Sequence, residues 1–357
     1  MMVKAHIKSA RVMPAIRKDV NLGPMNTLGV ETRAGQFVEI RNSEQLRLLF
    51  EDGFFRRQSP VVLGEGSNIL FISEPDRPVV KLSVKGREIK SEDDGTVLLK
   101  AGAGENWHQL VKHSVEKGLG GIENLALIPG TVGAAPIQNI GAYGIEMKDV
   151  FHSLTAFDIK TGKFQTFSAA DCGFGYRDSV FKNELKGRVI VCDVTLRLTK
   201  DSHNLNLSYS GLNDYLESKK IVSPTINDVF KAVVNIRRSK LPDPSDIGNA
   251  GSFFKNPVVS QNVFEQLQSR FSDLVAYPLQ HGQSVKLAAG WLIEQCGWKG
   301  YRNQWVGVHN VQALVLINHG GGSGTQLLAL AQEIRESVEA RFGVELEQEP
   351  LTQPAVH

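Results

Sequence analysis

The sequence has little cysteine, no long hydrophobic run and almost no net charge. Its three cysteines, an odd number in 357 residues, argue against a disulfide framework and fit a reducing compartment. No apolar run approaches the about 18 residues of a membrane span, and the N-terminus lacks the apolar core of a secretory signal. Lys+Arg 40 against Asp+Glu 38 gives a net charge of +2, which supports neither a nucleic-acid nor a membrane partner. We therefore expect a cytoplasmic protein.

The composition that is present is typical of a folded globular protein. Hydrophobic residues make up 41% and charged residues 22%, which excludes wholesale disorder. At roughly 150 residues per domain, the length predicts two or three domains. Residues 1–20 are mildly basic, and we predict a flexible N-terminal tail there, with a targeting or docking segment as the alternative.

The apolar patterns predict alternating strands and helices. Leu241-Pro242-Asp243-Pro244 interrupts them and indicates a linker. The predicted strands are 37–40, 60–63, 69–72, 79–84, 87–90, 96–101, 313–317 and 344–347, with a hairpin around 160–163. The predicted helices are 44–50, 107–116, 227–239, 264–271, 286–295 and 325–342.

A short glycine loop directly follows the apolar strand 60–63. Its residues are Gly64, Glu65, Gly66, Ser67 and Asn68. Glycines permit positive φ, and successive inward N–H groups form a nest that binds an anion. A tight turn between two strands is the alternative interpretation. The pattern is neither the dinucleotide fingerprint Gly-x-Gly-x-x-Gly nor a Walker A loop, so a Rossmann site and ATP-driven phosphoryl transfer lack their usual signatures.

A second loop, residues 128–144, is long, apolar and rich in small residues. A long irregular loop is usually functional or disordered, and the apolar content argues against disorder. Small side chains let the backbone approach a flat ring or a phosphate, although a buried packing crossover is also consistent with the pattern. Together the two loops indicate a large, extended ligand. The residues predicted to bind it here are Pro129, Gly130, Gly133, Ala134, Ala135, Gln138, Asn139, Ile140, Gly141, Ala142, Tyr143 and Gly144.

Further segments occur in a fixed order along the chain between about residues 21 and 350. Besides the two glycine loops, they are 26–29, 102–107, 174–179, 240–244, 248–257, 288–293 and 346–349. This ordered series resembles the UDP-N-acetylenolpyruvoylglucosamine reductases of peptidoglycan precursor synthesis. Tyr209, in Leu207-Ser208-Tyr209-Ser210-Gly211-Leu212, further resembles the subclass in which a tyrosine loop covers the substrate.

The resemblance implies an α+β protein with the FAD-binding fold of the vanillyl-alcohol-oxidase type and a separate α/β substrate-binding domain. On this chain the first FAD-binding lobe is expected at 21–83. The second lobe is expected at 84–241 and 340–357, and the UDP-sugar domain at 242–339. The linker predicted from Leu241 to Pro244 falls at one of these boundaries.

The resemblance also implies an activity. NADPH reduces non-covalently bound FAD, and the flavin then reduces the enolpyruvyl ether of UDP-N-acetylglucosamine to UDP-N-acetylmuramate. Arg177 is expected to stabilise the developing negative charge, Ser252 to deliver a proton, and Glu349 to help polarise the substrate carboxylate. Gln348 stands where the family usually has proline, which leaves Glu347 as an alternative to Glu349. We expect a monomer.

Further residues are expected to bind ligands by the same matching. Tyr209, Lys240 and Asn256 are the predicted substrate contacts, and Arg237 is a predicted cofactor contact. Lys240 and Arg237 could meet the diphosphate of UDP or the phosphates of NADPH, with a solvated basic helix end as the alternative. No catalytic metal is predicted, because the three cysteines lie far apart, without the paired spacing of zinc ligands. His309 is expected to be a core histidine.

Two other functions fit parts of the sequence. One is an oxygen-using FAD oxidase of the same fold, in which a histidine tethers the flavin; His108 is the nearest candidate. The other is a UDP-sugar-binding protein without redox activity, which would need the C-terminal region but not the two glycine loops. The presence of flavin and its reoxidation by the enolpyruvyl compound distinguish the three.

Overall fold

The computed structural model describes residues 12–92, 95–279 and 283–354 and has an α+β architecture. Residues 1–11 of the predicted tail lie outside the described residues. The end of that segment forms two short strands, Ile16–Arg17 (β1) and Val20–Asn21 (β2). β1 pairs with Phe37–Ile40 (β4) and β2 with Arg33–Ala34 (β3), so the backbone is hydrogen-bonded from about residue 16 onward.

The first region is a small sheet with one crossover helix. Its order is β1-β4-β7-β5, with β5 at Val61–Leu63 and β7 at Val79–Leu82, and β4, β7 and β5 run parallel. Helix α1, Glu44–Glu51, connects β4 to β5 and buries two leucines against the sheet. The first glycine loop follows β5 at the carboxyl end of the strand, a usual place for ligands in parallel sheets, and Ile69–Phe71 (β6) comes next.

The second region is built on an antiparallel sheet in the order β13-β12-β14-β9-β8. The first helix of this region begins at Asn106, whose side chain accepts a hydrogen bond from the Gln109 backbone N–H. The last helix begins with a capping box formed by Thr225 and Asp228. The elements are β8 (Arg87–Ser91), β9 (Thr96–Gly102), α2 (Trp107–Glu116), β10 (Gly141–Ala142), β11 (Ile145–Glu146), β12 (Phe151–Asp158), β13 (Lys163–Ser168), α3 (Ala169–Cys172), β14 (Val189–Thr199), α4 (Ser210–Ser218) and α5 (Ile226–Lys240).

The third region contains two small antiparallel sheets, in the orders β15-β20-β19 and β16-β18-β17. The last described strand runs parallel to β6 of the first region. The elements are β15 (Gly248–Asn249), β16 (Val258–Ser260), α6 (Gln261–Arg270), β17 (Ala276–Pro278), β18 (Ser284–Leu287), α7 (Ala289–Gln295), β19 (Val306–Val308), β20 (Leu316–Asn318), α8 (Gly324–Phe342) and β21 (Leu351–Gln353).

The hydrophobic cores join these regions. One cluster combines residues of the first region, such as Phe37 and Phe71, with residues of the third, such as Phe253 and Leu327. A second cluster lies inside the second region around Trp107. A smaller one packs α1 and its sheet against β12 and β14. The expected domain limits therefore remain a prediction, since the first and third regions share one core and α8 crosses the limit at 339/340.

Most predicted elements are present, but several differ from the prediction. The strand predicted at 313–317 begins only at Leu316. Residues 284–287 form a strand, and the helix predicted at 286–295 begins only at Ala289, because Val285 and Leu287 are buried in alternation. Residues 344–347 are not a strand; the closing strand is β21. Helix α4 was not predicted. Within the described ranges, no helix is long and apolar enough to cross a membrane.

Candidate active site

The two glycine loops contact each other through their side chains. Glu65 accepts hydrogen bonds from Asn106 Nδ2 at 2.8 Å and from the Gly130 backbone N–H at 3.1 Å. Ser67 Oγ donates to the Pro129 carbonyl at 3.3 Å. Asn68 Nδ2 donates to Gln138 Oε1 at 2.6 Å. These side chains therefore hold the two loops together.

This arrangement leaves the backbone N–H groups of the first loop free, while the Gly66 and Asn68 carbonyls accept from the Thr27 and Leu351 N–H groups. The N–H groups of Glu65, Gly66, Ser67 and Asn68 donate to no acceptor within the described part of the chain. Gly66 has a φ of +66°, and a Cβ there would lie 2.1 Å from the carbonyl oxygen of Met25. Four successive unbonded N–H groups in a glycine turn fit the diphosphate of a dinucleotide.

Small residues let the second loop pack closely where it enters the fold. Gly130 has a φ of +114°, and a Cβ there would meet Ser67 Oγ at 2.7 Å. A Cβ on Gly133 would lie 2.5 Å from the Cβ of Ala103. Gly133 and Ala134 lie in a short 3₁₀ turn, which Ala135 ends. This part of the loop thus has the close backbone packing expected of a buried crossover segment. The same packing is compatible with a bound ligand.

The far end of the second loop is fixed by Asn139. This side chain is fully buried and donates to Glu146 Oε2 at 3.0 Å and to the Gly175 carbonyl at 2.9 Å, while its Oδ1 accepts from the Lys148 N–H. It therefore shapes the loop, and a ligand contact there can involve only backbone. Ile140 is buried, Gly141–Ala142 form β10, and Tyr143 and Gly144 have positive φ.

Arg177 reaches the second loop from a strained backbone. Its φ is +54°, in the left-handed region that non-glycine residues adopt at a cost of about 1–3 kcal/mol and that clusters at functional sites. Its Nη2 donates to the Gly141 carbonyl at 2.6 Å. Its Nε lies 3.6 Å from Glu349 Oε1, and the two side chains are 20% and 13% exposed. The guanidinium thus connects the loop to the C-terminal segment.

Glu349, rather than Glu347, faces Arg177. Its backbone N–H donates to the Phe253 carbonyl at 2.9 Å, and its own carbonyl accepts from Asn68 Nδ2 at 3.3 Å. Burial raises the pKa of the Glu349 carboxyl above its usual value, although the nearby Arg177 cation acts in the opposite direction. Glu347 is 68% exposed and pairs with Lys255. The side chain of Gln348 donates to the Pro350 carbonyl and to Thr352 Oγ1.

Ser252 lies next to this pair. It directly precedes Phe253, which is the backbone partner of Glu349. No group in the described ranges hydrogen-bonds to Ser252 Oγ, although the residue is partly buried. A Cβ on the preceding Gly251, whose φ is +69°, would meet nothing within 4 Å, so the backbone borders open space here. Ser252 thus directly precedes a residue that binds the Glu349 backbone, and Glu349 in turn faces Arg177.

Three residues of this cluster were missed at the sequence level. Tyr176 contacts two cations, with Lys286 Nζ 4.5 Å and Arg177 Cζ 5.4 Å from the centre of its ring. Lys182 Nζ donates to the Arg177 carbonyl at 3.1 Å. Burial lowers the pKa values of both lysines. Tyr176 directly precedes Arg177 and Lys182 follows it by five residues, but neither residue type signals a site by itself, and Lys286 lay in a segment predicted as helix.

The predicted ligand contacts fall at different distances from this cluster. The Tyr209 ring packs edge-on against Tyr143 with centroids 5.0 Å apart and is 37% exposed. Arg237 Nε donates to the Leu127 carbonyl, and its guanidinium also interacts with the Tyr143 hydroxyl. Asn256 Oδ1 accepts from the Ala289 N–H at the start of α7, while Lys240 is exposed at the end of α5.

His108 and His309 have structural partners. His108 Nδ1 accepts from the Leu127 N–H at 3.0 Å, and the ring stacks on Phe230. His309 Nδ1 accepts from the Gln312 N–H at 3.2 Å. In the described residues, no group of three or more His, Cys, Asp or Glu side chains could hold a metal ion.

Comparison with known proteins identifies the family. Residues 243–352 match the family described as "UDP-N-acetylenolpyruvoylglucosamine reductase, C-terminal domain", and residues 35–168 match the FAD binding domain. The chain is 48% identical over 335 residues to the UDP-N-acetylenolpyruvoylglucosamine reductase of Pseudomonas syringae pv. tomato, with 94% of this chain and 98% of that one covered. It is 50% identical to the same enzyme of Burkholderia cenocepacia, with 93% and 95% covered. The chain belongs to the UDP-N-acetylenolpyruvoylglucosamine reductase family.

A solved structure supports the fold. The UDP-N-acetylenolpyruvylglucosamine reductase of Thermus caldophilus aligns with a TM-score of 0.67 at 23% identity and covers 96% of this chain and 100% of that one. The family and the α+β FAD-binding fold predicted from the sequence are confirmed, and with them an FAD-dependent oxidoreductase. Both glycine loops lie within the matched FAD binding domain. Their unbonded N–H groups and close-packed glycines fit that cofactor.

Proposed function

We propose that this reductase-family member catalyses the NADPH-dependent reduction of UDP-N-acetylenolpyruvoylglucosamine to UDP-N-acetylmuramate in peptidoglycan precursor synthesis. The observation that carries the proposal is a set of contacts beside the second glycine loop. Arg177 bonds to that loop and faces Glu349, and the Glu349 N–H bonds to Phe253, the residue after Ser252. These groups come from separate segments of the chain. They combine a cation, a carboxyl group with a raised pKa and a hydroxyl without a protein partner.

The glycine loops hold the cofactor in this proposal. The N–H groups of residues 65–68 bind its diphosphate, and the small residues of 129–144 lie against the rest of it. FAD held there would supply the hydride chemistry between NADPH and the enolpyruvyl alkene. Arg237, held against Leu127 and Tyr143, is proposed to contact the cofactor or the NADPH phosphates.

Arg177 stabilises negative charge on the substrate. Addition of hydride to C3 of the enolpyruvyl group places an electron pair on C2 that is shared with the carboxylate. A guanidinium binds a carboxylate through two parallel N–H bonds, which a lysine cannot reproduce. Glu349 in its protonated form donates a hydrogen bond to the same carboxylate, and its raised pKa favours that form.

Ser252 completes the reaction by giving its hydroxyl proton to C2. The new C2–H bond takes up the electron pair, and the serine regains a proton from solvent. The absence of any hydrogen-bond partner for Ser252 Oγ within the described residues leaves the hydroxyl available to the substrate. The strongly basic C2 carbanion makes so weak an acid effective.

The remaining expectations follow as part of the proposal. Tyr209, Asn256 and Lys240 contact the UDP-sugar, and Tyr209 covers it from the loop before α4. The domain limits 21–83, 84–241 with 340–357, and 242–339 stay a proposal. One chain supplies every candidate catalytic group, which supports action as a monomer. The reducing compartment inferred from the cysteines supports a cytoplasmic location.

Isotope labelling tests the proposal. Purified protein is incubated with NADPH and UDP-N-acetylenolpyruvoylglucosamine, and the product is analysed by mass spectrometry and NMR. We expect NADPH consumption and a product heavier by two hydrogens. Deuterium from labelled NADPH should appear at C3, and deuterium from heavy water at C2. NADPH oxidation that requires oxygen and leaves the sugar unchanged would instead indicate the oxidase, and substrate binding without flavin would indicate a binding protein.

A further inference from the structure

We propose that Lys182 is a positioning residue that holds Arg177 in its active conformation and acts only in the half-reaction with the enolpyruvyl substrate. The inference rests on the proposed function and extends it to a residue with no assigned role. It is carried by the bond from Lys182 Nζ to the Arg177 carbonyl and by the left-handed backbone of Arg177.

The loop around Arg177 is closed on itself by hydrogen bonds. Gly175 and Asp178 exchange backbone hydrogen bonds across the arginine, at 3.0 and 3.4 Å. Asn183 Nδ2 donates to both carboxylate oxygens of Asp178 at 3.1 Å. Ser179 Oγ donates to the Ile137 carbonyl at 2.6 Å and thereby ties the loop to the second glycine loop. The tight turn places Arg177 at its tip, where a non-glycine residue with φ of +54° is strained.

Lys182 supplies the bond that holds this tip. It ends the 3₁₀ turn Val180–Lys182, which begins at Ser179, and its half-buried side chain returns to the Arg177 carbonyl at 3.1 Å. In the described residues, Lys182 makes no ion pair within 4.0 Å. The one hydrogen bond of its ammonium there is to the Arg177 carbonyl. This half-buried ammonium bonds to a carbonyl although carboxylates lie nearby, which points to the Arg177 backbone as the group that it holds.

The charges around Lys182 are those of the candidate active site. The groups that face it are Lys255, Glu347, Asp178 and Glu349. The Lys182 ammonium also acts on Glu349 in the same direction as Arg177, favouring the ionised carboxyl. Its influence therefore reaches both members of the Arg177–Glu349 pair. None of the groups named as facing it belongs to the first glycine loop, so NADPH-driven reduction of the flavin should not depend on it.

The test measures the two half-reactions separately by anaerobic stopped flow. Lys182→Met removes both the charge and the hydrogen bond. We expect flavin reoxidation by UDP-N-acetylenolpyruvoylglucosamine to slow at least about tenfold, and flavin reduction by NADPH to change less than about twofold. Lys182→Arg, which can restore a donor and a charge, should recover most of the rate. Lys186→Met, an exposed lysine on the same segment, is the matched control and should leave both rates unchanged.

A double-mutant cycle separates positioning from a general structural role. If Lys182 acts through Arg177, Lys182→Met should cause little further loss in an Arg177→Met background, because the residue it positions is gone. An equal loss in both backgrounds would overturn the proposal, as would near-normal reoxidation of Lys182→Met. Lys182→Gln provides the same cycle if the Met variant does not retain flavin. Failure of the wild type to be reoxidised by the enolpyruvyl compound would reject the proposed function instead.

Discussion

The two glycine loops and the Arg177 cluster differ in which parts of the residues are left free for a ligand. In the first loop the side chains bond to the second loop, and the backbone N–H groups of residues 65–68 remain unbonded. In the cluster the backbone of Glu349 is bonded on both sides, and the side chain of Ser252 remains free. The comparison indicates a cofactor held mainly by backbone and a substrate acted on by side chains. Substitutions in the first loop should therefore impair cofactor binding, and substitutions in the cluster should impair reduction of the substrate.

The largest effect is expected from Ser252→Ala. Loss of a proton donor typically slows a reaction by about 10²–10⁴-fold, so flavin reoxidation by the enolpyruvyl substrate should slow by that range. Reduction by NADPH should stay within about twofold of the wild type, since the loops are untouched. Anaerobic stopped-flow absorbance measures both rates. Ser202→Ala, at an exposed serine outside the cluster, is the control. Equal losses in both half-reactions would reject the proton-donor role.

A smaller but still large effect is expected from Arg177→Lys. The ammonium keeps the charge but cannot form two parallel bonds to a carboxylate or reproduce the contacts with both Gly141 and Glu349. We expect kcat with the enolpyruvyl substrate to fall about 10²-fold, a loss typical of a removed charge-stabilising donor. Arg188→Lys, whose partner Asp158 lies away from the cluster, is the matched control for the same chemical change. Near-normal turnover of Arg177→Lys would contradict the charge-stabilising role proposed for Arg177.

The complementary substitution in the loops is Gly66→Ala. The new Cβ would lie 2.1 Å from the Met25 carbonyl oxygen, so the turn must shift and its N–H groups must move with it. We expect FAD affinity to fall at least about tenfold. Equilibrium titration of apoprotein with FAD measures it. Gly118→Ala is the control, because Gly118 has a similar φ of +70° and open space at its Cβ. Equal FAD affinities in the two variants would contradict the proposed binding of FAD by the first glycine loop.

The smallest expected effect concerns the stability of the cluster. Burial raises the pKa of Glu349 in the folded state, so this residue stabilises the fold at acid pH and the contribution is lost as pH rises through that pKa. Glu349→Gln removes the cost of burying an ionised carboxylate. It should therefore raise the free energy of unfolding at neutral pH by on the order of 1 kcal/mol. Denaturant unfolding at acid and neutral pH measures the difference. The exposed Glu347→Gln should show no such pH dependence; a stabilisation of Glu349→Gln that is independent of pH would refute the account.

The same comparison explains what could be predicted from the sequence. Gly64 to Asn68 form a local motif after an apolar strand, so both the loop and its anion-binding character follow from neighbouring residues. The pairing of Arg177 with Glu349 depends on the path of the chain over more than one region, and local patterns contain no such information. The resemblance to a family supplied these two residues and Ser252.

The errors in secondary structure have a similar cause. Ser284–Leu287 is a strand because β16 and β17 lie beside it, and its short alternation was read as part of the helix that follows. The last strand pairs with β6, some 280 residues earlier, a contact that no local pattern indicates. Lys182 and Tyr176 were missed for another reason: they resemble ordinary residues of a polar turn until their contacts with Arg177 are known.

The most direct test of the separation between the two regions is the visible spectrum of wild type and Ser252→Ala under anaerobic conditions. NADPH is added first and UDP-N-acetylenolpyruvoylglucosamine second. Both proteins should show oxidised-flavin bands that bleach with NADPH. The bands should return rapidly with the enolpyruvyl compound in the wild type and remain bleached in Ser252→Ala over the same time. Bands that return equally in both proteins, or that fail to bleach in the variant, would contradict it.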